Sequence, residues 1–99
     1  MTTTEAIIRA IKAVPAGKVA SYARIATEAG IPNGARQVAR VLHSCSEKYA
    51  LPWWRIVRAS GEIALTDADG GLLQRELLLE EGVFFKSARV VDLEQSGDY

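Results

Sequence analysis

The feature that most constrains the fold of this chain is a pair of predicted helices separated by a tight, glycine-bounded turn. Ser21 is a favourable N-cap for a helix over residues 22–29, and Gly30 is a favourable C-terminal stop. The sequence Ile31-Pro32-Asn33-Gly34 then predicts a short connection to a further helix over Ala35–Cys45. Two helices joined in this way predict a helix-turn-helix. The pattern alone is weak evidence of function, because many helical pairs share it.

The predicted helix Ala35–Cys45 has a bare, basic surface. Arg36, Arg40 and His43 recur at i, i+4 and i+7, so they share one polar stripe. Ala35 and Ala39 leave part of the surface nearly bare, which would let the helix approach a narrow groove closely.

Charge is also unevenly distributed along the chain. Residues 1–60 carry nine basic and three acidic side chains, a formal charge of +6, and residues 61–99 carry three basic and nine acidic side chains, a formal charge of −6. A chain of zero net charge can therefore present a basic face to phosphates.

The rest of the chain predicts one earlier helix and a mixed segment after the helix-turn-helix. Thr2 and Glu5 form a capping-box pattern before a helix with apolar residues at helical spacing, and residues 15–18 end that helix. Residues 56–59 and 62–65 predict a small hairpin, and a helix over residues 72–81 stops at Gly82. Residues 83–85 and 89–93 are candidate strands of a terminal hairpin, and residues 94–99 are expected to fray. The predicted fold class is α+β: one winged-helix-like domain over residues 1–99, with a helix-turn-helix core and a short β-hairpin.

Composition excludes several classes of protein. Apolar residues make up 48% of the chain, enough to build a core and to exclude general disorder. One cysteine and one histidine exclude a disulfide framework and a zinc site built from this chain alone. The apolar runs are too short to span a membrane. The N-terminus lacks the layout of a signal peptide, so we expect a cytoplasmic protein, and no cofactor motif is present.

Five stretches, in order, resemble O6-alkylguanine-DNA alkyltransferases over about residues 5–83. The family segment Gly-x-Val-x-Thr-Tyr-Gly-x-Ile-Ala is similar to residues 17–26, and the family's Ala-Arg-Ala-Val-Gly recognition helix is similar to residues 35–39. The family's Pro-Cys-His-Arg-Val-Val corresponds to Pro52-Trp53-Trp54-Arg55-Ile56-Val57. Its later Ser-Gly and Leu-Leu-x-x-Glu-Gly correspond to Ser60-Gly61 and Leu78-Leu79-Glu80-Glu81-Gly82.

Trp53 and Trp54 depart from the family pattern at the residues that carry its chemistry. In those enzymes the cysteine of Pro-Cys-His-Arg takes the alkyl group as a thiolate, the adjacent histidine activates it, and a glutamate matched here by Glu81 orients the histidine. An indole is neither a useful nucleophile nor a base at neutral pH, so the alignment excludes direct alkyl transfer at this site. It also leaves Glu81 with no histidine to orient.

Loss of the cysteine with retention of the pocket resembles the alkyltransferase-like proteins. These proteins bind alkylated guanine in DNA without repairing it and hand the lesion to nucleotide excision repair. The resemblance implies double-stranded DNA containing O6-alkylguanine as the ligand and nucleotide excision repair proteins as partners, with no catalytic residue. We expect a monomer that needs no metal or cofactor.

The resemblance also implies roles for individual residues. Arg36 matches the arginine that fills the base stack after a nucleotide flips out, and Tyr22 matches the tyrosine that presses on the neighbouring phosphate. Trp53 is expected to line the lesion pocket, with Trp54 facing the opposite side of a predicted strand. The predicted DNA-binding residues, on a helix placed in the minor groove, are Tyr22, Gly34, Ala35, Arg36, Ala39 and Arg40. The predicted pocket residues are Trp53, Arg55 and Glu81, although Arg55 could equally fix the local fold.

Two alternatives stay open at this point. An active alkyltransferase could use Cys45 as its nucleophile, but the helical phase that Cys45 shares with Val38 and Leu42 favours a core position. A winged-helix transcription regulator would recognise sequence in the major groove through several Asn, Gln or Arg side chains. The helix Ala35–Cys45 offers mainly Arg36, Gln37 and Arg40 for that purpose, with His43 as a phosphate neighbour or a bystander.

Overall fold

The computed structural model describes residues 1–96, and the predicted α+β fold class is confirmed. In chain order the elements are α1 (Thr3–Lys12), β1 (Ala20–Ser21), α2 (Tyr22–Glu28), α3 (Ala35–Cys45), β2 (Ile56–Val57), α4 (Leu72–Glu80), β3 (Phe85–Ser87), β4 (Val90–Val91) and α5 (Leu93–Ser96). A 3₁₀ turn, Trp53–Arg55, precedes β2, and a wide turn, Asp67–Gly71, precedes α4. Within residues 1–96 no helix combines the length and apolar character needed to cross a bilayer.

Helices α1, α2 and α3 pack around one hydrophobic cluster, because each directs aliphatic side chains inward. The buried residues of these helices in this cluster include Ile7, Ile11, Ile25, Ala26, Val38 and Val41. The predicted caps are present: the Thr2 hydroxyl accepts the Glu5 N–H at 3.1 Å, and the Ser21 hydroxyl accepts the Arg24 N–H at 3.0 Å. The predicted helix-turn-helix is therefore confirmed, with α3 beginning and ending where the sequence pattern places it.

The hairpin predicted at residues 56–59 and 62–65 is wrong. Strand β2 instead pairs in parallel with β1, with Ala20 opposite Ile56 and Ser21 opposite Val57. Ile56 and Val57 are both buried, which is typical of a parallel strand covered on both faces rather than of a half-exposed hairpin strand. Two short strands from distant parts of the sequence thereby join the helical half to the C-terminal half.

Gly61 redirects the chain after β2 toward the C-terminal hairpin. The Ile63 N–H donates to the Arg89 carbonyl at 2.8 Å, and the Val91 N–H donates to the Gly61 carbonyl at 2.9 Å. Gly61 has a φ of +92°, and a Cβ there would lie 2.7 Å from the Val91 carbonyl oxygen. Only glycine allows this approach, so residues 61–63 pair with β4 and its neighbours rather than with β2.

The predicted terminal hairpin is confirmed, with short strands: β3 and β4 are antiparallel. It contributes to a second hydrophobic cluster, which includes Val19, Val57, Leu78, Val83 and Val91. Residues 94–96 do not fray as predicted. They lie in α5, where Ser96 is buried and its hydroxyl accepts the Phe84 N–H at 2.7 Å. The same prediction for residues 97–99 lies outside the described residues.

Candidate nucleic-acid interface

The exposed face of α3 carries the basic side chains that the sequence predicts there. Arg36, Arg40 and His43 are exposed, and Ala39 is exposed beside them. Neither arginine forms an ion pair with another residue of the described chain. Both guanidinium groups are therefore available to a phosphate or a base, and a planar guanidinium can serve either.

Gly34 has a structural role that differs from the predicted close approach to DNA. Gly34 is buried, and a Cβ at this position would lie 2.7 Å from both Ile31 Cδ1 and the Ile31 carbonyl oxygen. Its N–H donates to the same carbonyl at 2.8 Å. The turn between α2 and α3 therefore requires glycine for its own packing. The exposed Ala39 and the half-buried Ala35 supply the bare surface of the helix.

A cavity of about 430 Å³ opens beside the exposed face of α3. Its wall is formed by α2, α3, the 3₁₀ turn, β2, the wide turn and the start of α4, with two residues from connecting segments. The lining residues are Tyr22, Ala39, Leu42, His43, Ser46, Trp53, Ile56, Leu65, Asp69, Gly70, Leu73 and Gln74. Small-ligand sites in proteins measure about 300–1,000 Å³, so this cavity can hold a base-sized ligand. The structure thus brings Tyr22, Ala39 and Trp53 to one cavity.

Trp53 forms part of the cavity wall, and its surroundings fix its position. Trp53 and Trp54 lie in a 3₁₀ turn rather than in the predicted strand, and their rings meet edge to face with centroids 5.9 Å apart. Gly70 has a φ of +119°, and a Cβ there would lie 3.4 Å from Leu65 Cδ1 and 3.8 Å from Trp53 Cη2. This backbone conformation suits glycine, which holds the loop before α4 close against the indole.

Tyr22 begins α2 at the edge of the cavity, close to a cationic side chain that sequence reasoning missed. Burial raises the pKa of the Tyr22 hydroxyl, and the positive charge of Arg58 partly opposes this rise. The phenol therefore stays neutral at physiological pH and can donate a hydrogen bond. Because β1 pairs with β2, the residues that follow the two strands, Tyr22 and Arg58, leave the sheet side by side. The pairing of β1 with β2 is therefore the observation that identifies Arg58 as a neighbour of Tyr22.

Gln74 is a second residue of the cavity that sequence reasoning missed. The residue is only 2% exposed, and its Nε2 donates to the Trp54 carbonyl at 3.1 Å and to the Ile56 carbonyl at 3.0 Å. Reversing the amide would place Oε1 against two carbonyl oxygens, so these contacts fix its orientation. Oε1 is buried and has no hydrogen-bond partner among residues 1–96. Gln74 lies four residues before buried Leu78, so both residues lie on the same face of α4. This spacing is the sequence pattern that could have indicated the burial of Gln74.

Arg55 and Glu81 were predicted to lie at the pocket, but the structure places them behind it and not in its lining. The Arg55 guanidinium donates to Glu81 at 2.6 Å and to the Val14 carbonyl at 2.9 Å. The Trp54 indole N–H donates to Glu81 at 3.0 Å, and the Gly17 backbone N–H donates at 3.2 Å. Glu81 has no histidine to orient, as the sequence indicates, and it accepts a hydrogen bond from the Trp54 indole instead.

These contacts determine the charge state of Glu81. Burial would raise the pKa of its carboxyl group, but the hydrogen bonds from Arg55, Trp54 and Gly17 and the Arg55 charge outweigh burial, so the pKa of Glu81 is lowered. The ionised carboxylate links the 3₁₀ turn to α4 and to the turn after α1. It thereby holds the residue next to Trp53 in place.

Comparison with known families identifies the domain. The sequence profile described as "6-O-methylguanine DNA methyltransferase, DNA binding domain" matches residues 2–83. The chain belongs to this methyltransferase family. The family predicted from the sequence motifs is therefore confirmed.

Within the methyltransferase family, similar relatives include proteins named for base flipping. A DNA base-flipping protein of Escherichia coli is 41% identical over 85 residues, which make up 86% of this chain and 65% of that protein. Alkyltransferase-like protein 1 of Schizosaccharomyces pombe is 36% identical over 75 residues, or 75% of this chain and 69% of that protein. The chain thus spans about two thirds of the length of these relatives.

A solved structure shows the same fold bound to DNA. The crystal structure of S. pombe Atl1 in complex with damaged DNA containing O6-carboxymethylguanine matches with a TM-score of 0.79 and 29% identity. The match covers 95% of this chain and 92% of that chain. The architecture described above is therefore that of an alkyltransferase-like protein of the methyltransferase family.

Cys45 does not line the cavity that Trp53 borders. It lines a different groove, between α1 and α3, together with Thr3, Ile7 and Arg40. It is half-buried and packs against the first hydrophobic cluster, so the predicted core position holds in part. Because the chain has one cysteine, the cavity wall carries no thiol.

Proposed function

We propose that this chain binds O6-alkylated guanine in duplex DNA by flipping the damaged nucleotide into the cavity beside Trp53, and leaves the alkyl group in place. The observation that carries the proposal is the position of Trp53. Trp53 forms part of the wall of a base-sized cavity next to an exposed basic helix. The motif resemblance aligns this residue with the reactive cysteine of the family. On this alignment the chain keeps the pocket, and the lining of the pocket contains no cysteine.

The surface around the cavity supports binding to DNA through the minor groove. Ala39 leaves α3 bare at the cavity edge, so the helix can lie close to the floor of a narrow groove. Arg36 extends from the first turn of the same helix, where its guanidinium can occupy the gap left by the flipped nucleotide. Arg40 and Arg58 are exposed and can neutralise phosphates.

Chemistry at the cavity supports binding without repair. Alkyl transfer requires a thiolate aligned about 3–3.5 Å from the alkyl carbon. The one cysteine of the chain lies in the groove between α1 and α3. The motif resemblance aligns Trp54 with the activating histidine of the family. An indole side chain can stack on a base, and stacking contributes about 1–3 kcal/mol per base without any covalent step.

A comparison of two duplexes tests the proposal. The chain should bind a duplex containing O6-methylguanine more tightly than the same duplex containing guanine, at matched salt concentration. Trp53→Ala should lose this preference but keep salt-dependent binding to both duplexes, whereas Tyr49→Ala, which removes an exposed aromatic ring outside the cavity, should keep it. Equal affinity of the unaltered chain for both duplexes would contradict the proposal and favour a sequence-specific regulator.

A protein that binds a lesion without removing it requires a later repair step. We therefore include, as part of this proposal, that the bound monomer hands the lesion to nucleotide excision repair. The chain should increase the rate of incision by excision repair proteins on a duplex containing O6-methylguanine, and Trp53→Ala should not. An unchanged rate of incision would show that this chain does not pass the lesion to nucleotide excision repair.

A further inference from the structure

Helix α4 differs from the other helices of residues 1–96 because its exposed side carries large apolar residues. Leu72, Leu73 and Leu79 are 57%, 51% and 46% exposed, whereas α1, α2, α3 and α5 expose no large apolar residue. A single exposed leucine is ordinary on a protein surface. Three in a helix of nine residues leave much of its solvent side apolar, which calls for an explanation.

Two of these leucines share one face of α4 with two acidic residues. Leu72 and Leu79 are seven residues apart, so they lie on the same side of the helix, separated by two turns or about 10 Å. Glu76 lies between them, and Glu80 follows Glu76 by one turn; both glutamates are exposed. These four residues form the outer face of α4. Leu73 lines the cavity, so its exposure belongs to that site.

The negative charge of the outer face of α4 is not balanced by neighbouring residues. Neither Glu76 nor Glu80 forms an ion pair within residues 1–96. The one basic residue of α4, Arg75, points to the C-terminal hairpin instead. Its guanidinium carbon lies 4.9 Å from the centroid of the Phe85 ring, and its Nη1 donates to the Ala88 carbonyl at 2.9 Å. The outer face of α4 therefore presents two carboxylates beside an apolar stripe.

This combination of charge and apolar surface indicates the class of partner. Carboxylates repel phosphates, so the outer face of α4 is unsuited to DNA. A protein surface of opposite charge would be attracted and oriented by the glutamates, while burial of the leucines would supply affinity.

We propose that the outer face of α4 is a docking surface for a basic amphipathic helix of a partner protein. Apolar side chains of that helix contact Leu72 and Leu79, and its lysine or arginine residues pair with Glu76 and Glu80. A helix fits this surface because two helices pack through side chains that recur every three or four residues, the spacing of these four residues. This inference is independent of the function proposed above.

Titration with a designed peptide tests the docking surface in the unaltered chain. The probe is a helical peptide of about 18 residues made of leucine and lysine, with the leucines on one face. A second peptide keeps the leucines and has glutamate in place of every lysine. The methyl resonances of Leu72 and Leu79 should shift with the lysine peptide below about 1 mM, and little with the glutamate peptide. Added salt should weaken binding of the lysine peptide.

Variants of the outer face of α4 locate the contact. Leu79→Ala keeps a good helix former, and it should weaken binding of the lysine peptide by about five- to ten-fold. Tyr49→Ala, which removes an exposed ring outside α4, is its control and should change binding by less than about two-fold. Glu76→Lys should weaken binding by about three- to ten-fold. Glu47→Lys makes the same change of charge at an exposed residue after α3, so it should have little effect. All four residues are exposed, so the variants should keep the Tm of the unaltered chain.

Several results would overturn the proposal. The Leu79 methyl resonances would stay unchanged with the lysine peptide at about 1 mM, or the two peptides would bind equally well. Duplex DNA that shifts the Leu79 resonances as strongly as the lysine peptide does would make this face part of the DNA interface. Shifts that grow with protein concentration in the absence of peptide would assign the face to a second copy of the chain. The peptide titration contains no DNA, so its outcome is separate from the test of lesion binding.

Discussion

Replacing Glu81 by glutamine tests the network that holds the Trp53–Arg55 turn. The Glu81 carboxylate accepts hydrogen bonds from Arg55 at 2.6 Å, from Trp54 at 3.0 Å and from Gly17 at 3.2 Å. The Arg55 and Glu81 side chains are only 16% and 15% exposed. In Glu81→Gln one oxygen becomes an NH₂ group that faces N–H donors, and Arg55 loses its counter-charge.

The expected cost follows from the burial of this pair. Removing one partner of a buried ion pair costs about 3–5 kcal/mol. Because glutamine keeps one acceptor and the site is partly open to water, we expect a loss of about 2–4 kcal/mol in the free energy of unfolding. In a domain of this size 1 kcal/mol corresponds to about 4–8 °C in Tm, so Tm should fall by about 8–32 °C.

Equilibrium unfolding in urea and thermal unfolding measure this effect. Glu80→Gln is the matched control, because Glu80 is the preceding residue and is exposed. It should change the free energy of unfolding by no more than about 0.5 kcal/mol. A Glu81→Gln variant as stable as Glu80→Gln would refute the argument that this network holds the turn.

The pH dependence gives the same prediction a second test. The pKa of Glu81 is lowered in the folded chain, so its stabilising contribution is complete above the pKa of an unfolded glutamate, about 4.3. The contribution is lost as the pH falls through the lowered pKa of the folded state. The stability difference between the unaltered chain and Glu81→Gln should therefore be constant from about pH 6 to 7 and narrow below about pH 4. A difference that stays constant in acid would contradict this account.

Three further predictions concern the DNA-binding surface and its chemistry. Arg36→Ala should weaken binding to O6-methylguanine DNA by about 1–3 kcal/mol, the scale of stacking support per base, without lowering Tm. Arg9→Ala, an exposed position on α1, is its control, and unaltered affinity of a folded Arg36→Ala would show that α3 does not enter the base stack. Incubation with methylated DNA should leave the intact mass of the chain unchanged, and one added methyl group on Cys45 would contradict the proposal. Trp53→Cys should not acquire rapid methyl transfer, because a thiol without an activating base has a pKa of about 8.5 and is mostly protonated at neutral pH. Label transfer from methylated DNA, with Trp53→Cys plus Trp54→His for comparison, measures this, and rapid transfer to the single variant would show that the histidine is dispensable.

The helical half of the fold could be predicted from sequence because its determinants are local. Ser21 caps α2, and the predicted apolar stripe Val38, Leu42 and Cys45 packs against the first hydrophobic cluster, with Val38 fully buried. These signals act over a few residues, so they appear directly in the sequence. The position of Trp53 at a pocket could be proposed only through the family resemblance, because a tryptophan at that place is equally compatible with a core residue.

Pairings between distant segments could not be predicted in this way. Ser60-Gly61 has the composition of a hairpin turn, and the local pattern gives no sign that Ile56 pairs with Ala20. The family resemblance assigned Arg55 and Glu81 to the pocket. The sequence does not show how α4 packs against the 3₁₀ turn, and this packing brings the two side chains into contact behind the pocket. Gln74 is polar and lies among leucines, and its burial follows from the unpaired carbonyls of a turn that only the tertiary structure places beside it.

The position of the damaged base in a complex tests the central claim most directly. A crystal structure of the chain bound to a duplex containing O6-methylguanine should show α3 in the minor groove, the lesion outside the base stack, and its ring in the cavity against Trp53. The Arg36 guanidinium should occupy the gap in the duplex. A lesion that remains stacked within the duplex, or a recognition helix lying in the major groove, would contradict the account.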